Sequence, residues 1–223
     1  MCRFFLYICI VTVLILTGME TASIFGISRH RMRTDGDGVT TLVTFTGCPL
    51  RCKYCLNPQC FKPEDSFPCY TPSELYDIVK KDNLYFLATG GGITFGGGEP
   101  ALRGAFIREF RQLCGREWHL CMETSLNVPG DFLPPLVKDF DFFIVDIKDM
   151  NPEIYRAYTG KDNAKVLENL RMIATAGRAD DCTIRIPLIP GYNTDEDRDR
   201  SIAALKELGF SKFDKFTYRY GKR

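Results

Sequence analysis

From Val39 onward the chain alternates short apolar, β-branched runs with longer segments of helical spacing, and this alternation limits the folds open to it more than any other feature. Val39–Phe45 reads as a buried strand, followed directly by a cysteine-rich loop. Thr71 as N-cap, Pro72 at the first helical position and Glu74 closing a capping box predict a helix running to about Lys81. Strand-like and helix-like segments then pair off: 93–95 with 105–113, 119–122 with 132–138, 142–147 with 164–176, and 183–188 with 195–208, before a last strand at 213–218. The pattern predicts an α/β fold with a parallel sheet of about six strands and helical crossovers. Chemistry in such folds gathers at the C-terminal ends of the strands. Cysteines follow the first strand, Gly97-Gly98-Glu99 the second, Glu123-Thr124 the third, and Asp146 and Lys148 the fourth. No repeat, low-complexity tract or linker divides the chain, so residues 19–223 are expected to form a single domain.

With 29 basic against 28 acidic residues, the chain has no field that would recruit nucleic acid or an anionic membrane at long range. Three of its ten cysteines crowd into eight residues, which favours metal over disulfides. Cys9, Cys114, Cys121 and Cys182 sit among apolar neighbours and read as small buried hydrophobes. Residues 4–16 form an uncharged run preceded by Arg3, signal-like and short for a membrane span, with no small-x-small cleavage site after it. Met19 offers an alternative start, and residues 1–18 are expected to be a leader or a misassigned start.

Cys48-Pro-Leu-Arg-Cys52-Lys-Tyr-Cys55 places three thiolates on one tight loop. Such a loop can ligate three irons of a cubane and leave the fourth iron open to substrate. It can equally form a zinc knot, with Cys60 as fourth ligand. The second constellation, from Gly90 to Pro100, is a strand wrapped in glycines with Glu99 at its C-terminal end. Glycines let a ligand lie against bare backbone, and Glu99 can accept hydrogen bonds from an ammonium group. Gly96-x-Gly98-x-x-Ala101 with Glu123 downstream also satisfies a relaxed dinucleotide-binding pattern. Pro100 in the turn counts against that rival, as does a cysteine triad left without purpose. His30 and His119, the only histidines, are assigned no chemistry.

The CxxxCxxC loop with Tyr54 before its last cysteine, the Gly-Gly-Glu-Pro segment, and Asp146-Ile-Lys148-Asp-Met-Asn-Pro-Glu-Ile-Tyr155 with Thr159-Gly160 together resemble the glycyl-radical-enzyme activating branch of the radical SAM enzymes. The resemblance spans roughly residues 24–218. It implies a partial (β/α)6 barrel of the radical SAM type, with outer helices. It also implies a 4Fe-4S cluster on Cys48, Cys52 and Cys55, with S-adenosylmethionine (SAM) chelating the open iron and Tyr54 beside the adenine. Gly97, Gly98 and Glu99 would secure the methionyl amino group, and Asp146 and Lys148 the ribose and carboxylate region. Glu123-Thr124, with Asp146, would help to bind a monovalent cation; Asp35-Gly36 would touch the substrate peptide. Arg185, on a strand, would bind the SAM carboxylate or pair with a buried acid. The implied partners are a glycyl radical enzyme as protein substrate and flavodoxin or ferredoxin as electron donor, in the cytoplasm and away from membrane and nucleic acid.

The chain also departs from the family's pattern. Glu123 is one methylene longer than the usual aspartate, Leu56 stands where histidine often follows the last cysteine, and Tyr218-Arg219 replaces a Tyr-His pair. No paired CxxCxxC runs follow Cys55, so a single cluster is expected. A radical SAM enzyme acting on a small molecule, such as a deazapurine carboxylate synthase, would share the cysteine loop and Gly-Gly-Glu but close its pocket around the substrate.

Overall fold

The structure, a computed structural model, describes residues 20–32 and 34–218; the leader at 1–18 and Arg219 lie outside the described residues. Eight strands form one sheet: β1 (Ala22–Met32), β2 (Val39–Phe45), β3 (Cys69–Tyr70), β4 (Gly92–Gly97), β5 (His119–Thr124), β6 (Phe142–Asp146), β7 (Cys182–Leu188) and β8 (Lys212–Thr217). Their order is β3-β1-β2-β4-β5-β6-β7-β8. The run from β2 through β4 to β8 is parallel throughout, giving the six parallel strands of a partial radical SAM barrel. This meets the expectation of a parallel sheet of about six strands; β1 and β3, which extend the β2 edge in antiparallel fashion, lie outside it. Only the first three residues of β1 are fully buried, and its far half carries Arg29, His30 and Arg31, so it lacks the continuous apolar run that marks the parallel strands.

The connecting helices are α1 (Pro72–Val79), α2 (Asn83–Thr89), α3 (Gly104–Cys114), α4 (Pro134–Val137), α5 (Pro152–Thr159), α6 (Ala164–Thr175) and α7 (Asp195–Glu207). The Thr71–Glu74 capping box forms as expected and opens α1. The helix expected over 132–138 shrinks to four residues, since Pro134 and Pro135 set its start and Phe132 turns back to the Pro129 carbonyl. α5 escaped the sequence reading, although Asn151 caps it by accepting from the backbone N–H groups of Glu153 and Ile154, with Pro152 at the first position. Among the described residues no helix is long and apolar enough to cross a membrane.

Strand alternation divides the sheet into two faces. Phe45, Phe95, Met122, Phe143, Val145 and Ile184 belong to the apolar core. Within it Phe95 packs edge-on against Phe110 of α3 at 5.5 Å and Phe45 edge-on against Phe106 at 5.6 Å. Such pairs contribute about 0.5 to 1.5 kcal/mol beyond the area they bury. The intervening residues, Thr94, Glu123, Asp146 and Arg185, carry the polar contacts of the other face. Cys114, Cys121 and Cys182 are buried as expected; Cys9 lies outside the described residues.

Asp82, fully buried between α1 and α2, ties β1 to that helical connection. Arg29 donates to both of its carboxylate oxygens at 2.7 and 2.5 Å, and His30 Nε2 lies 2.9 Å away. The hydrogen bonds from Arg29 hold its pKa below the ordinary carboxylate range. A depressed carboxylate pKa contributes stability above the unfolded-state value of about 4 and loses it as pH falls through the folded-state value. Asp82→Asn is therefore expected to cost about 2 kcal/mol at neutral pH by denaturant titration, and the deficit should shrink in acid.

Candidate active site

The cysteine loop leaves β2 at the C-terminal edge of the parallel strands and is pinned by its backbone. Gly47 N–H donates to the Cys60 carbonyl at 2.8 Å, Arg51 N–H to the Thr159 carbonyl at 2.9 Å, and Lys53 N–H to the Tyr158 carbonyl at 3.2 Å. Cys48, Cys52 and Cys55 thus line one cavity together with Gly97, Gly98, Asp146, Lys148 and Tyr218. Burial pushes the Cys48 thiol up to about 12 and the Cys52 thiol up to about 11. A metal that binds them must displace those protons. Cys60 is buried on the 58–61 turn and does not line the cavity; burial and the neighbouring Cys55 push its thiol up to about 11.

Among the described residues, no three His, Cys, Asp or Glu side chains are gathered tightly enough to hold one metal ion. A cubane makes a different demand, since each of its cysteines meets its own iron. Three cysteines lining one cavity fit that donor set.

Gly97 and Gly98 line the cavity as bare backbone. Gly97 has φ +88°, and a side-chain carbon on Gly98 would collide with the Gly47 carbonyl oxygen, so the glycine strand and the cysteine loop touch through main chain alone. Asn57 donates to the Gly97 carbonyl at 3.2 Å.

Glu99 is not among the residues that line the cavity. It is fully buried behind the cavity wall, where Oε1 accepts from Thr124 Oγ1 at 2.6 Å and Ala101 N–H at 3.3 Å. Oε2 accepts from Ser125 Oγ at 2.7 Å and Ser125 N–H at 3.0 Å. Burial raises its pKa against the pull of these four hydrogen bonds. Its carboxylate braces the Thr124–Ser125 turn, and both of those residues reach the cavity.

Asp146 and Lys148 come together in the cavity lining, where they form an ion pair. Lys148 Nζ also donates to Tyr218 Oη at 3.0 Å. Burial opposes the charge on Lys148, but Asp146 beside it outweighs burial and its pKa stands well above the ordinary lysine value. Asp146 Oδ1 is buried without a hydrogen-bond partner. An orphaned acceptor in a cavity wall suits a ligand hydroxyl.

Tyr54 packs against Tyr158, Tyr192 and Tyr218 at ring distances of 5.9, 5.8 and 6.5 Å, and its hydroxyl donates to the Pro190 carbonyl at 3.2 Å. It reaches the cavity wall through Tyr218. Of the two readings of Arg185, the structure displays the acid pair, with Glu123. Asp35 and Gly36 lie apart from the cavity, on the polar face of the sheet: the Asp35 carbonyl accepts from Thr94 Oγ1, its carboxylate pairs with Arg31, and Gly36 faces Cys121. Leu56 is exposed at the cavity's edge. Sequence reasoning passed over Ser125 and Asn57 and treated Tyr218 only as half of an altered pair. Position alone pointed to the first two, which directly follow Glu123-Thr124 and the cysteine loop.

The family described as Radical SAM superfamily matches residues 42–205. Over 83% of its length the chain is 31% identical to the (2S)-3-sulfopropanediol dehydratase activating enzyme of Klebsiella oxytoca, covering 78% of that protein. It is also 31% identical to the pyruvate formate-lyase 2-activating enzyme of Escherichia coli K12, over 78% of this chain and 68% of the other. The chain belongs to the radical SAM superfamily of oxidoreductases and is closely related to the activating enzymes of glycyl radical enzymes. In fold it resembles Streptococcus suis SuiB bound to its precursor peptide SuiA (TM-score 0.61, 12% identity, 80% of this chain and 38% of that one). A second likeness is to anSMEcpe with bound AdoMet (TM-score 0.57, 20% identity, 80% and 50%).

Proposed function

We propose that this chain, as one domain acting in the cytoplasm, activates a glycyl radical enzyme by removing a hydrogen atom from the α-carbon of one of its glycines. The observation that carries the reading is one cavity, at the C-terminal edge of the parallel strands, lined together by Cys48, Cys52, Cys55, Gly97, Gly98, Asp146 and Lys148. A 4Fe-4S cluster on those cysteines, fed by flavodoxin or ferredoxin, would supply the one-electron cleavage of SAM to methionine and a 5'-deoxyadenosyl radical.

The chain's own residues bind and orient. Gly97 and Gly98 let the methionyl part of SAM lie against backbone, and Lys148, kept charged by Asp146, meets its carboxylate. Asp146 Oδ1, lacking a partner of its own, accepts from a ribose hydroxyl. The Tyr54 cluster forms the apolar side towards the adenine. Near-attack placement of the substrate glycine is then the remaining task of the fold.

The test is anaerobic incubation of the reconstituted chain with reductant, SAM and a glycyl radical enzyme from the same genome, read by electron paramagnetic resonance. A glycyl radical doublet matched by 5'-deoxyadenosine is expected. Turnover of SAM on a small molecule, with no protein radical on any glycyl radical enzyme of that genome, would overturn the proposal in favour of small-molecule chemistry.

A further inference from the structure

Three of the five side-chain oxygens set aside for a monovalent cation are already engaged. Glu123 Oε1 accepts from Arg185 Nη1. Thr124 Oγ1 donates to Glu99 at 2.6 Å and accepts from Leu126 N–H at 2.9 Å. Asp146 Oδ2 is held by Lys148, which leaves Asp146 Oδ1 and Glu123 Oε2 as the carboxylate oxygens of the set without a donor among the described residues. Each carboxylate of the set already faces a fixed positive charge, Arg185 at Glu123 and Lys148 at Asp146, and an inorganic cation would have to enter against both.

Arg185 meets more than one acid. Its Nη2 donates to the Thr34 carbonyl at 2.6 Å and its Nε faces Asp214 Oδ2 at 3.5 Å, so one guanidinium joins β5, the β1–β2 loop and β8. The extra methylene of Glu123 is accommodated across Gly96, where an added Cβ would stand 3.0 Å from Glu123 Oε2. The longer carboxylate thereby reaches the arginine. Glu123 and Asp146 are balanced by Arg185 and Lys148 before any ion enters.

We propose that Arg185 is a positioning residue that serves as a built-in cation, holding Glu123 in place of an inorganic ion, so that SAM binding in this chain is indifferent to monovalent salt. The proposal rests on the SAM reading above. A planar, permanently charged fork suits the part, because unlike a bound ion it cannot dissociate.

The experiment titrates SAM into the reconstituted chain in KCl, NaCl and tetramethylammonium chloride at equal ionic strength, and follows thermal unfolding of the cluster-free full chain in the same salts. Wild-type SAM affinity should agree across the three within about twofold, and the unfolding midpoints should coincide. Arg185→Gln should open the position, so that its SAM affinity becomes roughly 10-fold better in KCl than in tetramethylammonium chloride. Arg185→Lys, which keeps the charge, should stay salt-indifferent. A wild-type protein whose SAM affinity and melting both rise saturably with potassium would overturn the proposal, as would an Arg185→Gln variant blind to the salt. Failure to bind SAM in every salt would refute the cofactor assignment instead, and the melting comparison would still decide the role of Arg185.

Discussion

Cys48→Ala, Cys52→Ala and Cys55→Ala are each expected to lower the iron content of the anaerobically reconstituted chain from about four per polypeptide to near zero, whereas Cys60→Ala should keep it. The three cysteines line one cavity, and each would carry its own iron, so losing one would leave a second iron without a protein ligand. Cys60 sits differently: its carbonyl supports the loop by accepting from Gly47 N–H, a role that survives removal of the thiol. Iron and sulfide analysis with visible absorption reads the result directly. If Cys60→Ala lost all metal, a four-cysteine site would replace the open cluster, and no iron would be left for SAM.

The second large effect concerns Glu99. Each of its oxygens faces one backbone N–H that cannot turn away, Ala101 N–H at Oε1 and Ser125 N–H at Oε2, alongside one hydroxyl that can. In Glu99→Gln the amide NH2 must oppose one of these fixed donors whichever way it is flipped. The expected cost is about 2 to 3 kcal/mol of folding stability, because a buried donor is left unmade. Movement of the Thr124–Ser125 turn should weaken SAM binding in parallel, by roughly 10-fold. Paired denaturant and SAM titrations separate two roles. A carboxylate that touched the SAM ammonium directly would lose affinity at unchanged stability, while the brace observed here should lose both.

Much of this arrangement was legible before any coordinates. β2 runs from Val39 to Phe45 as the residue pattern indicates, because a strand covered on both faces writes its limits in unbroken β-branched and apolar residues. β1 did not declare itself, since its outer half is charged and owes its strand to pairing with β2 rather than to its own composition. The cysteine spacing and the glycines announced the site because each type has few other uses at such density. The direction of Glu99 was hidden: its donors Thr124 and Ser125 come from a neighbouring strand end 25 and 26 residues away, and strand order is a tertiary fact. The same holds for Arg185, whose acid lies 62 residues earlier.

The bonds from Arg51 and Lys53 to the end of α5 have a consequence for the working life of the protein. Two backbone bonds to helix carbonyls give the cysteine loop anchors of its own, beside any that iron and sulfide would add, so part of the mould for the cofactor is set by the polypeptide. Little chain ordering is then charged against assembly. A molecule stripped by oxygen is therefore expected to keep its form and to accept a fresh cluster, so that damage to the inorganic part would be a repair and not a loss of the polypeptide.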